Sequence, residues 1–408
     1  MKCRHCGIPL EHTFLDLGFS PPSNAYLTSD DLLRPEKYYP LKVKVCSNCW
    51  LVQTEDYAQA VELFNPDYAY FSSTSSSWLR HAELFSDSII SKFCLTKNSY
   101  VIEVASNDGY LLRNFLAANI PCLGIEPTAS TAAAAELLGI PVLKEFFGEA
   151  LAIRLATEGK QADLIVGNNV FAHVPDINDF TRGLKAALKP GGIITLEFPH
   201  LMKLIEHAQF DTVYHEHFSY LSLFTVRRIF SIAGLRIWNV EQISTHGGSL
   251  RIYGCHEDDP RETNKAVIEL IDEEMELGLQ RMATYENFQI RANKIKDSLI
   301  HFLVEMKRLN KKVVAYGAAA KGNTLLNYAG IKPDLLPYVC DAALSKQGKY
   351  MPGSHIPILD PRALRDLKPE YVLILPWNIS SEISRENNFI AEWGGKFVVT
   401  VPEIREII

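Results

Sequence analysis

The sequence predicts an α/β chain made of a small cysteine-bound N-terminal module followed by two Rossmann-like domains, and three observations carry that expectation. Two Cys-x-x-Cys pairs bracket a turn-rich N-terminus, short apolar strands alternate with helix-length segments from Tyr100 onward, and a second strand, small-residue loop and helix starts at Lys312. A chain of 408 residues is too long for one core, and 47% hydrophobic with 22% charged residues is the usage of a folded globular protein. The expected divisions are 1–70, 71–260 and 261–408.

The net charge of −7 gives no general attraction to nucleic acid. No run of about 18 apolar residues occurs, and Met1-Lys2-Cys3-Arg4-His5-Cys6 lacks the apolar stretch of a signal peptide. The expectation is a cytoplasmic monomer that binds neither nucleic acid nor membrane.

Of the eight cysteines, Cys3, Cys6, Cys46 and Cys49 form a spaced pattern. In a reducing compartment such knuckles indicate a metal rather than disulfides. Four thiolates close a tetrahedral zinc shell and leave no open position, so the zinc is expected to be structural. No basic helix lies between the knuckles to read nucleic acid, which leaves a folding staple as the role.

Leu41-Lys-Val-Lys-Val45 alternates as a strand leading into Cys46. The aromatic and serine-rich stretch from Tyr68 to Trp78 reads either as a plain linker or as an ordered lid, and a helix-like run covers 79–85. Strands are expected at 100–104, 121–125, 163–166 and 193–197, in the spacing of a parallel sheet.

The first of these strands runs into Glu103-Val-Ala105-Ser106-Asn107-Asp108-Gly109. Gly109 lets the backbone approach a ligand, Asn107 and Asp108 suit the amino-acid part of a cofactor, and Glu126, ending the next strand, stands where an acid grips ribose hydroxyls. The loop has one glycine where a dinucleotide fold has three, and it resembles class I methyltransferases, whose cofactor has no pyrophosphate. Asn168, Asn169 and His173 end a further strand on the same edge, where open α/β sheets bind ligands.

The densest cluster of reactive residue types is Asp211-Thr-Val-Tyr214-His215-Glu216-His217-Phe-Ser-Tyr220. On an extended segment His215 and His217 point to one side and Glu216 to the other, unless the segment is a turn. Three readings stand: a second metal site completed by His200, His173 or His246; a hydrogen-bonded structural cluster; or acid–base catalysis with His217 as the base, the preferred one. Ser244-Thr-His246-Gly-Gly-Ser249-Leu-Arg251 reads either as a contact for phosphate or carbonyl or as a glycine-rich hairpin with an exposed histidine.

Residues 261–310 read as long helices joining two halves. Beyond them, Tyr316-Gly317-Ala318-Ala-Ala-Lys321-Gly-Asn323 places small residues and a cation at a helix start, which suits a diphosphate, with Asp341 at the next strand end as a ribose-binding acid. A close-packed helix start with no ligand is the alternative.

Taken in order, the knuckles, Tyr68-Ala-Tyr70-Phe-Ser-Ser, Glu103–Gly109, Asn168-Asn-Val-Phe-Ala-His173, Tyr214–Tyr220, His246–Arg251 and Tyr316–Asn323 resemble the sugar C-methyltransferases of deoxysugar biosynthesis over essentially the whole chain. The resemblance implies S-adenosylmethionine and structural zinc as cofactors. It implies a nucleotide-linked (dTDP or GDP) 4-keto-6-deoxyhexose, methylated at C3′, as substrate. It further implies that His217 removes the C3′ proton, that Tyr214 and Glu216 orient it or hydrogen-bond the oxyanion at C4′, that one of Tyr68 and Tyr70 completes the site, and that the Tyr316–Asn323 loop holds the diphosphate. Competing classes are a non-catalytic zinc-containing nucleotide-binding module and an NAD-linked oxidoreductase.

Overall fold

The two cysteine knuckles close on each other. In the computed structural model, which describes residues 1–57 and 71–407, Cys3 Sγ lies 3.5 Å from Cys49 Sγ and Cys6 Sγ 3.5 Å from Cys46 Sγ, with all four sulfurs within 4.8 Å of one another. That donor set fits one tetrahedral zinc. The hydrogen bond from Cys49, supplemented by one from Gln53 Nε2 at 3.2 Å, holds the Cys3 thiol down to about 4, the thiolate form that a metal takes.

The knuckles anchor an antiparallel four-stranded sheet in the order His12–Ser20, Tyr39–Val45, Val52–Thr54, Ser219–Tyr220. Leu41, Val43 and Val45 are buried while Lys42 and Lys44 between them are half-buried, the period of two that the sequence displays. The fourth strand comes from the histidine-rich segment, pairing Val52 with Tyr220 and Gln53 with Ser219. Further bonds fasten the knuckle itself to the same stretch: Thr225 Oγ1 donates to the Cys49 carbonyl at 3.2 Å and Arg228 to the Asn48 carbonyl at 2.8 Å.

The central sheet has seven strands in the order Leu235–Ile243, Ser249–His256, Leu188–Pro199, Ala162–Asn168, Val101–Val104, Cys122–Ile125, Val142–Leu143. Its last five strands are parallel, and the first two form an antiparallel hairpin whose connection carries His246. The strands expected at 100–104, 121–125, 163–166 and 193–197 all lie in it. The helix Ile177–Ala187 on its flank begins where the Asp176 carboxylate accepts from the Asp179 N–H at 2.9 Å.

The helices Lys265–Leu277 and Phe288–Arg308, with the short helix Ala283–Glu286 between them, lie between the central and C-terminal sheets in the chain, where the sequence predicts long helices. Asn264 caps the start of the first and Gly278, left-handed, ends it. Phe288 stacks on Phe14 of the N-terminal sheet with centroids 4.5 Å apart, so the zinc module rests on this connector. The C-terminal sheet runs Ile358–Leu359, Val339–Cys340, Val313–Tyr316, Tyr371–Ile374, Lys396–Val399, Arg405–Ile407, parallel except at its last strand. One apolar cluster, containing Phe14, Phe171 and Leu373, runs through all three sheets. Among the described residues no helix is long and apolar enough to cross a membrane.

Zinc removal tests the staple. Purified chain should contain one zinc per molecule, and chelation or Cys46→Ser should lower Tm by on the order of 5–10 °C. An unchanged melting curve in metal-free protein would remove the structural role from the knuckles.

Candidate active site

The carboxyl ends of the central strands carry a loop under conformational constraint. Ala105, Asn107 and Gly109 all have positive φ, at 58°, 50° and 78°. For Ala105 and Asn107 this costs of order 1 kcal/mol each; at Gly109 a Cβ would also come within 2.5 Å of Ile140 Cδ1. The loop is held open by its neighbours. Glu126 receives the Asn107 N–H on one oxygen and the Thr128 N–H on the other, both at 2.9 Å. Glu103 is completely buried beneath it; desolvation raises its carboxyl well above the usual range, against the pull of the Tyr110 hydroxyl.

The serine-rich stretch folds onto this loop. Ser72 N–H donates to Asn107 Oδ1 at 2.9 Å, and Ser73 donates to Asp108 Oδ2 from its N–H at 3.0 Å and from its hydroxyl at 2.5 Å. That part of the stretch is an ordered cover. Trp78, on the following helix Ser76–Lys92, places its ring 5.9 Å from Tyr110 and 5.4 Å from His246. Among the described residues Ser106 Oγ, Asp108 Oδ1, both polar atoms of the Asn168 amide and Asn169 Oδ1 are buried without a hydrogen-bond partner. A ring of orphaned polar atoms at a sheet's carboxyl edge is the signature of a site whose polar ligand satisfies them. These residues fit the amino-acid and ribose groups of S-adenosylmethionine.

The histidine-rich segment is a turn, not an extended strand, so its side chains do not alternate. His217 Nδ1 lies 3.0 Å from the Thr212 carbonyl, to which it can only donate. The proton is thereby fixed on Nδ1 and the lone pair on Nε2. Burial, reinforced by the nearby His173, pushes His217 well below its usual value and keeps it neutral. The His173 ring meets it edge-on at 4.5 Å and the Tyr214 ring lies 4.0 Å away. His215 turns toward the zinc module, its Nε2 3.3 Å from the Pro40 carbonyl, so the two histidines diverge. His200 is bound to Glu274 at 2.7 Å, and the same Glu274 oxygen accepts the Leu223 N–H at 2.6 Å at the start of the helix Leu223–Ile232. Among the described residues the four cysteines are the group arranged to hold a metal.

Glu216 is reached from the N-terminal module, where Asn24 Nδ2 donates to both carboxylate oxygens at 2.9 and 2.8 Å. Next to it Tyr26 donates to the Ala318 carbonyl at 2.5 Å and Ser23 accepts from Asn323 Nδ2 at 2.6 Å. This Ser23–Tyr26 strap ties the segment to the C-terminal domain. A Pro-Pro-Ser-Asn turn announces a loop in the sequence, and nothing local in it marks Asn24 as the partner of a residue so far along the chain.

The hairpin turn brings His246, with φ 54°, to the central edge, where the Asn169 amide meets its Nε2 at 3.0 Å. It is a hairpin, as one reading had it, but the histidine is half-buried, and burial holds it down to about 4. A Cβ on Gly247 would overlap the Trp377 ring, so only glycine admits the C-terminal domain this closely. Ser249 Oγ donates to the Thr245 carbonyl at 2.9 Å, and Arg251 pairs with Glu197 at 3.0 Å beneath Phe85.

On the facing domain, Tyr316 is buried and the Gly317 and Ala318 N–H groups bond to the Cys340 carbonyl at 2.7 Å and Asp341 Oδ2 at 2.6 Å. Lys321 extends toward the central domain, its Nζ 2.6 Å from Asn378 Oδ1 and 4.5 Å from the Trp377 ring centroid. Trp377 Nε1 in turn donates to the buried Asp211 at 2.7 Å. Desolvation sets Lys321 down to about 8 and Asp211 up to about 6, each moderated by the other's charge. Thus the turn with Tyr214, Glu216 and His217, together with His173 and His246, converges with Lys321, while Ser249 and Arg251 serve the hairpin and sheet. Tyr68 and Tyr70 lie outside the described residues.

Three family models match the chain: a zinc binding domain over residues 3–64, a methyltransferase domain over 78–240 and a C-methyltransferase C-terminal domain over 244–402. The chain is 32% identical to the C-methyltransferase NovU of Streptomyces niveus over 406 residues, 100% of this chain and 96% of that protein. Among solved structures, magnesium protoporphyrin IX methyltransferase from Synechocystis with bound S-adenosylmethionine aligns at 13% identity and a TM-score of 0.33, covering 43% of this chain and 78% of its own. A protein of Pyrococcus horikoshii aligns at 12% identity and a TM-score of 0.38, covering 49% and 100%.

Because Glu126 shapes the loop and is expected from the sequence to meet the ribose, Glu126→Gln should weaken S-adenosylmethionine binding roughly tenfold or more. Isothermal calorimetry measures it; wild-type affinity in that variant would place the ribose elsewhere.

Proposed function

The chain belongs to the sugar C-methyltransferase family, and from that premise we propose that it methylates C3′ of a nucleotide-linked 4-keto-6-deoxyhexose, with dTDP or GDP as the nucleotide. As a family member it is an S-adenosylmethionine-dependent enzyme with a zinc-binding N-terminal module. The observation that carries the substrate reading is His217: a buried, neutral imidazole with its tautomer set by Thr212, at the meeting point of the central and C-terminal domains. A carbon next to a ketone is acidic enough for such a base, and an enolate is the carbon nucleophile that methylation requires.

S-adenosylmethionine supplies an electrophilic methyl group when bound. His217 Nε2 takes the C3′ proton. Tyr214, its ring 4.0 Å from the imidazole, orients the base or donates to the developing oxyanion, Glu216, held as a carboxylate by Asn24, helps to orient the base, and a tyrosine of the Tyr68/Tyr70 pair completes the enclosure. The Asn107–Gly109 loop and Glu126 would hold the donor, where positioning would contribute more than further proton transfer. The cover formed by Ser72 and Ser73 holds the Asn107 and Asp108 side chains on the donor side.

Incubation with S-adenosylmethionine and freshly made 4-keto-6-deoxy sugar nucleotides should add one methylene to the sugar mass, with solvent deuterium entering C3′ when methyl transfer is withheld. Neither event on any dTDP or GDP substrate would refute the reading. His217→Asn should abolish both. Since burial lowers the His217 pKa, the base stays unprotonated on mild acidification, and the acidic limb of kcat/KM should fall below the ordinary histidine value of 6.5. A limb at or above that value assigns the base to another group.

A further inference from the structure

Resting on the enolisation just described, we propose that Lys321 is the cation that receives the negative charge forming on the C4′ carbonyl oxygen, rather than a ligand of the substrate diphosphate. Its position in the sequence, on a small-residue loop at a helix start, suggests a phosphate site, but the ammonium itself is held by Asn378 and Trp377. Three N–H groups of the loop are engaged within the protein, Gly317 with Cys340 O at 2.7 Å, Ala318 with Asp341 Oδ2 at 2.6 Å and Ala319 with Gly317 O at 2.9 Å, which leaves a phosphate only the first turn of the helix Ala320–Tyr328. Asp341 uses its other oxygen on the Ala343 N–H at 2.7 Å, so both of its carboxylate oxygens shape the loop, as those of Glu126 do in the central domain.

Lys321 leaves that loop altogether. Its ammonium is aimed by Asn378 at 2.6 Å and by the Trp377 face at 4.5 Å, and Trp377 is itself fixed by Asp211, on the stretch that runs into His217. The close approach of Gly247 to Trp377 completes the seam between the domains. The charge of Lys321 acts on both His217 and His246, although the three residues stand on different elements. A cation placed there cannot help a neutral imidazole to accept a proton; it can stabilise the anion that the acceptance creates. Asp211, buried with Oδ1 unpartnered, balances the charge before substrate arrives.

In the step proposed, His217 Nε2 binds the C3′ proton, the C3′–H electron pair becomes the C3′–C4′ double bond, and the carbonyl π pair moves onto oxygen beside the Lys321 ammonium. On methyl transfer the carbonyl re-forms, C3′ bonds the methyl carbon, the carbon–sulfur bond breaks to give S-adenosylhomocysteine, and His217 returns its proton to solvent. Desolvation, which brings Lys321 down to about 8, makes the ammonium a stronger hydrogen-bond donor while leaving it charged at neutral pH.

The test uses the full zinc-loaded chain, the dTDP-linked 4-keto-6-deoxyhexose at saturation and S-adenosylhomocysteine in place of the donor. It reads deuterium entry at C3′ by mass spectrometry and dTDP affinity by calorimetry. Lys321→Met should cut exchange about 100-fold with dTDP affinity unchanged. Lys321→Arg should recover part of the rate and move the basic limb of the exchange profile upward. Unchanged saturated exchange with weakened dTDP binding makes Lys321 a diphosphate ligand and overturns the proposal, as does equal loss of both in a variant that melts like wild type. If Lys321→Met does not fold, Asn378→Ala decides: it should slow exchange without changing dTDP affinity, and a wild-type rate refutes the proposal. A wild-type enzyme that shows no exchange with either the dTDP- or the GDP-linked substrate refutes the enolisation reading itself, a result distinct from any of these.

Discussion

The pairing of Val52–Thr54 with Ser219–Tyr220 is the interaction on which the site depends. A module of some fifty residues buries too little to hold itself, and a four-thiolate zinc site contributes on the order of 10 kcal/mol toward ordering it. That ordering is passed on: the strand after the second knuckle pairs with the strand after His217, and Thr54 Oγ1 donates to the His217 carbonyl at 3.3 Å. The cysteine cluster thus stands behind the strand pairing that places His217. The same module sends Ser23, Asn24 and Tyr26 across to Asn323, Glu216 and Ala318, so one staple organises contacts with both larger domains.

Desolvation is the second theme of the site. His173 and His246 are each lowered to about 4 by burial and His217 is lowered well below its usual value, so three imidazoles gather without mutual charge repulsion. Glu103, raised by burial, is shifted toward its neutral form beneath the Ala105–Gly109 loop. Against this largely neutral background Lys321 and Asp211 stand out as a cation and an acid drawn toward each other's range. In a low-dielectric cleft a single charge acts further than it would in water, which gives its placement weight.

Much of the fold is written in short-range pattern. The alternation of Leu41, Val43 and Val45, the apolar strands ending at Val104, Ile125 and Asn168, and the charged periodic stretch after residue 261 each correspond to an element where expected. The Cys-x-x-Cys spacing likewise leads to four converging sulfurs. The strand His12–Ser20, with its bulges, and the hairpin strands Leu235–Ile243 and Ser249–His256 are harder to read, because irregular or fully buried strands lose the alternation that marks an amphipathic one.

What the sequence by itself determined is therefore the kinds of groups present and their local frames: the thiolate knuckles, the Glu103–Gly109 turn, the acid at Glu126 and the cluster around His217. Tertiary structure alone decided their partners. Whether His215 shares a site with His217 depended on the turn between them, and Arg251 went to Glu197 because the hairpin lies beside that strand. Asn24 reached Glu216, Trp377 reached Asp211 and Lys321 left its loop for the domain seam through contacts between residues more than fifty positions apart. Side-chain periodicity reports which face of its own element a residue occupies; it carries no information about what another domain sets against that face.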